Sequence, residues 1–584
     1  MQRKSDFRIR KTGRSENSLS QRWSVVRDFK DYLFTMRLLQ VFLLIGFAWN
    51  INLTAFAQNR DWPMFGGTPN RNMVNVTKTG VPTHWDLGKK TNIKWVAELG
   101  TQTFSTPVIA GGKIFIGTNN QNSRDPKVKG SKGILMCFEE ATGKFLWQAV
   151  HEMIINPRLS DWPYCGITST PTVEGKRIYY VSSACELVCA DTEGFLDGRN
   201  VGLQTEALKS KKDADIVWRL DMREKLGVRH HCTSSSCPLI IGDLLFVVTG
   251  NGVDSGHIDI PAPLAPSFLV VNKETGKVVW QSNFPTQALL DIPAKLIRDQ
   301  RWDRIKNLVD AGKCLMHGQW SSPVYAKTSG IPQVIFPGGD GWLYAFTPQT
   351  GKLLWKFDCN PKGAFYVLGS KATRNDFVAT PVVYKDQLYI GVGQDPEHQE
   401  GVGHLWCLDL RRAVRFGPTN PERDVSPRDN NFDPNAEVNA KSALGWHYGG
   451  FTPGGERKRP YQYYFGRTLS TCAVHDGLVY ACDLGGIVYC FDAENGKLHW
   501  SWKTNAPIWA SPYWVDGKIY IGDQKGRVHI FQHGKNKRKP ITISMPKQRI
   551  SSTIVAANGT LYVTTRNRLI AVKKGIDRCN SFVK

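Results

Sequence analysis

The sequence predicts an all-β chain, an eight-bladed β-propeller of four-stranded antiparallel blades whose ring is closed by an N-terminal strand. Three observations carry that prediction. One hairpin type recurs along most of the 584 residues. A second hairpin type precedes each copy of the first, so the repeating unit is four short strands. The last two units are spaced by about 40 residues, the period of a propeller blade.

The clearest copy of the first hairpin is GGDGWLYAFTPQTGKLLWKFD, Gly338 to Asp358. Trp342 to Phe346 reads as a strand, Thr350-Gly351-Lys352 as a tight turn, and the residues up to Trp355 as a second strand. Alternating apolar positions around a glycine-bearing turn are the signal of a β-hairpin. The pattern also begins at Gly133 (GILMCFEEATGKFLWQ), Ser267 (SFLVVNKETGKVVWQ) and Gly486 (GIVYCFDAENGKLHW). Degenerate copies start at Glu186, His404, Arg527 and Arg568. The second hairpin has the form S-x-P-V-x-x-G-x-x-Y-V-G. It starts at Ser105, Ser169, Ser235, Ser321, Ala379, Ser470, Ala510 and Ser551. Joining each to the hairpin that follows gives blades 1 to 8, each with strands A to D and A innermost.

The eighth unit runs out near Lys573, before a fourth strand. An orphan strand, IKWVAEL from Ile93 to Leu99, precedes the first unit. It carries a tryptophan, as strand D does at Trp147, Trp280, Trp355 and Trp500. This strand is expected to complete blade 8, leaving no free sheet edge at the junction.

Residues 93–575 are thus read as a single propeller, 58–92 as an N-terminal extension and 576–584 as a tail. Residues 1–57 are read as a basic leader and signal peptide. Met36 to Ala57 has a basic residue, an apolar run and the small-x-small ending Ala55-Phe56-Ala57, the parts of a secretory signal. Met36 is an alternative start. Leu38 to Ala57 is about long enough to span a bilayer, though Asn50, Asn52 and Thr54 interrupt it. Cleavage is the preferred reading and an uncleaved anchor the alternative. The expected location is periplasmic or otherwise extracytoplasmic, soluble after cleavage, with a membrane met only through an uncleaved leader.

Thirteen cysteines in an exported chain raise the prospect of disulfides. Cys137, Cys189, Cys407 and Cys490, however, share one slot in strand C, where Ala345 stands in the clearest hairpin. They read as small buried fillers, while Cys185, Cys232, Cys237 and Cys314 are freer to pair. The net charge is +24, of which the leader holds ten Lys/Arg against four Asp/Glu. The basic residues are scattered one to a hairpin, at Lys144, Lys277, Lys352, Lys497 and Lys518. That is turn chemistry and lacks the dense stripe of a nucleic-acid footprint, so no nucleic-acid partner is expected.

Strand order also fixes sidedness. In an A-to-D meander the D–A links and B–C loops share one face of the ring. The longer insertions favour that face, and loops on a rigid scaffold are where binding sites are built. The D–A links bring His230 and His231 to blade 3, and His317, Gln319 and Trp320 to blade 4. They bring Arg374 and Asn375 to blade 5, Arg467 to blade 6 and Trp509 to blade 7. The B–C loops add Asn251, Asp254 and His257, then Asp340 and Trp342, then Gln394, Asp395, Glu397, His398, Glu400 and His404. Taken singly, each is ordinary loop capping or solvated charge. Together, polar residues of several blades at one channel mouth need mutual pairing or a ligand. Histidines with carboxylates can hold a metal or do acid–base work, and Asp395-x-Glu397-His398 is not diagnostic of either.

The repeat, quoted as EEATGKFLW, NKETGKVVW, TPQTGKLLW and DAENGKLHW, resembles the pyrroloquinoline quinone (PQQ) repeat family over nearly all of Ile93 to Lys573. DWPMFGGTPNRN, HGQWSSP, FPGGDGWLYAF and GVGQDPEHQEGVGHLWC resemble exported PQQ-like propellers of planctomycete type. Two branches share that fold. Quinoprotein dehydrogenases bind PQQ and usually Ca2+, which here would make Asp340 or Asp395 the base for an alcohol or sugar. The propeller lipoprotein of β-barrel assembly binds partner proteins and is not catalytic. This chain lacks the adjacent cysteine pair of many PQQ alcohol dehydrogenases, and no lipid-anchor cysteine follows its apolar run. The expectation is a binding or scaffold protein acting through its loop-rich face on an envelope protein, carbohydrate or small ligand. The alternative is a PQQ/Ca-dependent oxidoreductase. Fold analogy alone does not decide between them.

Overall fold

In the computed structural model the strands assemble into eight antiparallel sheets, hydrogen-bonded in the order A-B-C-D. Blades 1 to 7 occupy residues 108–152, 172–221, 239–282, 324–358, 382–449, 473–503 and 513–544. Blade 8 joins residues 555–572 to the strand Ile93–Glu98. The structure describes residues 61–77, 80–154, 164–203, 206, 208–255, 260–289, 317–361, 374–427, 437–455, 462–576 and 582–583. The leader, His257, Cys314, most of the tail and much of the insertions at 283–317, 359–376 and 411–444 lie outside the described residues.

One cross-strand triplet recurs in six of the eight blades. A large side chain on strand B, a small one on C and a tryptophan on D stand side by side. These are Phe115, Cys137 and Trp147 in blade 1, and Tyr389, Cys407 and Trp446 in blade 5. Ala345 fills the slot between Ile335 and Trp355. A small middle residue leaves room for the rings on either side, and such cross-strand pairs are the unit of sheet stabilisation. Cys137, Cys189, Cys407 and Cys490 are buried and form no disulfide, and neither do Cys185 and Cys237.

Blades are joined by the same tryptophans. Trp147 donates its indole N–H to Thr192 O of blade 2 (3.1 Å), Trp280 to Pro348 O of blade 4 (2.8 Å) and Trp446 to Ala493 O of blade 6 (2.9 Å). At the junction Trp95, paired opposite Ala571, donates to Glu140 O of blade 1 (3.1 Å). Nearer the axis, serines at the start of the S-x-P hairpins reach the next blade. Ser105 donates to Ser169 O, Ser169 to Ser236 O, Ser470 to Ala510 O, and Ser552 back to Ser105 O (2.8 Å).

The stretch DWPMFGGTPNRN, with the three residues after it, has an unforeseen role. It touches strand A, or the link into it, in all eight blades. Trp62 pairs with Ile109, Pro63 O accepts from Val173 N, Pro69 O from Tyr325 N, Asn70 O from Val383 N and Met73 O from Trp514 N. Asn72 pairs with Val474, and Asn75 donates to Ala556 O. Arg71, fully buried, covers blade 3 by donating to Cys237 O and Pro238 O, and also to Phe65 O and Pro323 O. A buried guanidinium needs this density of acceptors, because desolvating the charge is costly. Burial pulls its pKa down to about 10. The segment therefore lies across the channel and closes it at the level of strands A.

Candidate functional site

Above that floor is a cavity of about 200 Å3 lined by all eight blades and by Phe65. Its lining comes from the D–A links, the starts of strands A and the B–C loop of blade 5. Its size sits below the range of about 300–1,000 Å3 usual for drug-sized ligands. The wall has two components. Aromatic rings come from Phe104, Trp320 and Trp509, with Phe104 and Trp509 stacked at 5.9 Å. Hydroxyls come from the second residue of the S-x-P hairpins. Thr170, Ser322, Thr471, Ser511 and Thr553 each accept the backbone N–H of the equivalent residue one blade earlier, at 2.9 to 3.2 Å. An oxygen that accepts from the wall keeps its own proton for a ligand.

Of the predicted residues, Trp320, Asp395, Glu397 and Trp509 line the cavity. Behind Asp395 stands His317, with Nε2 at 3.2 Å from Asp395 Oδ2 and Nδ1 at 3.5 Å from Asp376 Oδ2. Asp376 was not foreseen, although it directly follows Arg374 and Asn375. Its backbone N–H donates to Gly393 O (2.8 Å), which fixes it beside the B–C loop of blade 5. Asp395 caps the short turn Pro396–His398 through Glu397 N (2.8 Å). Burial, and then the neighbouring Asp395 charge, push the Asp376 carboxyl well above the ordinary range. His231 donates through Nδ1 to Val253 O (3.0 Å), and its ring packs on His317 (5.2 Å) and Trp320 (5.6 Å). Arg467 donates through Nη2 to Gln394 Oε1 (3.1 Å), and burial lowers its pKa.

Other candidates hold loops together. Gln319 donates to Asn251 O (2.8 Å), while Asn251 receives Arg229 N and donates to Ala262 O. His230 forms a bridge with Asn251, and burial, aided by Arg223, lowers its pKa to about 4. Asp340 caps the B–C turn of blade 4, receiving Trp342 N and the Tyr344 hydroxyl (2.6 Å). Asp483 does the same for Ile487 N and Tyr489 in blade 6. Burial raises the Asp340 pKa against the pull of Arg374, whose Nη2 donates to Asp340 O (2.6 Å). Asn375 donates to Cys359 O. His404 lies two strands out from strand A, with Nδ1 at 2.9 Å from His447 Nε2. It does not line the cavity. The His398 side chain lies outside the described residues.

The wall does not match PQQ, a tricarboxylate. No lysine or arginine lines the cavity among the described residues, and two carboxylates do.

Three comparisons bear on kinship. A model of the family described as outer membrane protein assembly factor BamB matches residues 128–396 and 438–574. Among solved structures, a europium-containing methanol dehydrogenase shares the fold at 11% identity and TM-score 0.53, over 87% of this chain and 89% of that one. BamB from Moraxella catarrhalis aligns at 14% identity and TM-score 0.42, over 81% of this chain and 94% of that one. No curated protein sequence matches the chain. With the family match spanning well over half of the sequence and eight blades in place, the chain belongs to the BamB-type family of PQQ-repeat β-propellers.

Proposed function

We propose that this chain is an exported binding protein whose ligand is a small, oxygen-rich ring compound of carbohydrate type, held in the cavity on the loop-rich face. The observation that carries the reading is the wall itself, which combines aromatic faces with hydroxyls already oriented by backbone N–H groups. Aromatic rings offer an apolar face to a sugar ring, and oriented hydroxyls offer donors to its oxygens without a large ordering cost. The floor formed by residues 61–75 supports a site entered from one side. The leader motif at Met36 to Ala57 supports export.

The test is fluorescence titration of the chain from residue 58 with a panel of mono- and disaccharides, because Trp320 and Trp509 line the wall. Saturable change with at least one sugar is expected, and none with PQQ plus Ca2+. Saturation by PQQ, with dye-coupled oxidation of an alcohol or aldose, would instead favour the dehydrogenase reading. Response to neither, with an envelope protein cross-linked through the loop from Gln394 to Gly403, would favour a protein scaffold.

A further inference from the structure

The geometry points to a mononuclear site for a borderline divalent cation, Zn2+ by preference, held by one nitrogen of His317 and one oxygen each of Asp376 and Asp395. Donor atoms of these three side chains all lie within 4.8 Å of one another. Metal–ligand distances of about 2.0–2.1 Å imply donor–donor edges of about 3.3 Å in a tetrahedron, and His317 Nε2 already stands 3.2 Å from Asp395 Oδ2. The donors come from three segments, the links entering blades 4 and 5 and the B–C loop of blade 5. Two of those segments are tied by the hydrogen bond from Asp376 N to Gly393 O.

Burial supplies an independent argument. The side chains of His317, Asp376 and Asp395 are 12%, 8% and 1% exposed. The charges facing Asp376 are the Asp395 carboxylate, which opposes its ionisation, and the guanidiniums of Arg374 and Arg467, which favour it. Two buried carboxylates side by side repel, and a divalent cation between Asp376 and Asp395 relieves that repulsion directly. The mixed donor set favours a cation that accepts imidazole, whereas Ca2+ takes oxygen ligands alone. Asp395 also lines the cavity, so the remaining coordination positions are within reach of a ligand oxygen there. The site does not depend on which ligand that is.

The test uses the full chain from residue 58, stripped with EDTA. It is titrated calorimetrically with Zn2+, Mn2+ and Ca2+, and retained metal is counted after gel filtration. One equivalent of Zn2+ is expected. His317→Asn and Asp376→Asn should each weaken binding by more than about tenfold, while circular dichroism of the apo protein stays unchanged. His475→Asn, in the separate group with Asp476 and His533, serves as a control and should leave the stoichiometry intact. No bound Zn2+ in the wild type, preference for Ca2+, or full stoichiometry retained in a His317→Asn/Asp376→Asn double variant would each overturn the assignment. Zn2+ binding without any sugar response would leave this site standing and remove the carbohydrate reading.

Discussion

The indole of Trp95 lies directly on Gly143, so close that a Cβ added there would sit 2.5 Å from Trp95 Cδ2. The pair spans the junction of the ring, one residue from the N-terminal strand and the other from the turn of blade 1. Gly276 under Trp218, Gly351 under Trp280 and Gly496 under Trp446 repeat it between consecutive blades. The glycine of the T-G-K turn and the tryptophan of strand D are therefore one contact shared by neighbouring blades. Gly143 also has φ +75°, which a side chain resists.

Gly143→Ala is accordingly expected to destabilise the protein by about 1–3 kcal/mol, from overpacking and a strained φ together. Trp95→Ala should cost about 3–5 kcal/mol, as for other fully buried aromatic truncations. Chemical denaturation read by circular dichroism measures both. Equal midpoints for wild type and Trp95→Ala would contradict a role for Trp95 in closing the ring.

Arg71→Met removes a donor from four carbonyls, of which Pro238 O keeps the Thr172 hydroxyl. A loss of about 1–3 kcal/mol is expected, the scale of leaving buried acceptors unmade, with the relief of the buried charge acting in the opposite direction. Phe65→Ala keeps Arg71 and its acceptors, so it should change sugar titrations far more than the unfolding midpoint.

Trp509→Ala removes one face of the stack with Phe104. Sugar affinity should fall by about tenfold or more, the scale of losing one aromatic contact of about 1.5 kcal/mol. Thr471→Val, which removes a hydroxyl of the wall, should weaken binding while the isosteric side chain still fills the space. Titration of both against wild type measures the effect.

Burial holds His404 down to about 3 and raises Asp483 to about 6. The two have opposite consequences below neutrality. An unfolded histidine takes up a proton below about pH 6.5 while folded His404 does not, so its contribution to stability is lost as pH falls toward 3. Folded Asp483 binds its proton below about pH 6 while the unfolded carboxyl waits until about 3.9, so stability is gained across that window. Moving from pH 7 to pH 5, His404→Gln should therefore lose about 2 kcal/mol less than wild type. Asp483→Asn should lose about 1.4 kcal/mol more. Urea unfolding at the two pH values checks both signs.

The repeat was legible because its residues pack against their own copies. Trp147, Cys137 and Gly143 each serve a contact that recurs at the blade period, so period and role appear together in the sequence. Radial position was not. The D–A links deliver residues to the axis, and most of the cavity wall comes from them, including Phe104, Trp320 and Trp509. A B–C loop joins the second and third strands, so it delivers residues such as Asp340 and His404 to turn caps and outer contacts. The loop of blade 5 folds back far enough to bring Asp395 and Glu397 inward, and its composition does not announce that path. Asp376 and Phe65 lie in stretches without periodicity, where composition gives no hint of what they face.

The floor of the channel and the fourth strand of blade 8 both come from residues 61–98, while the strands they complete in blade 8 come from residues 555–572. A chain leaving the ribosome or a translocation pore therefore presents its keystone first and must keep it unplaced until the final blade arrives. Pairings this distant in sequence, 481 residues apart for Asn75 and Ala556, make folding slow. A chain truncated anywhere before blade 8 would keep an exposed strand edge and an incompletely floored bore, the features that quality-control proteases and chaperones recognise.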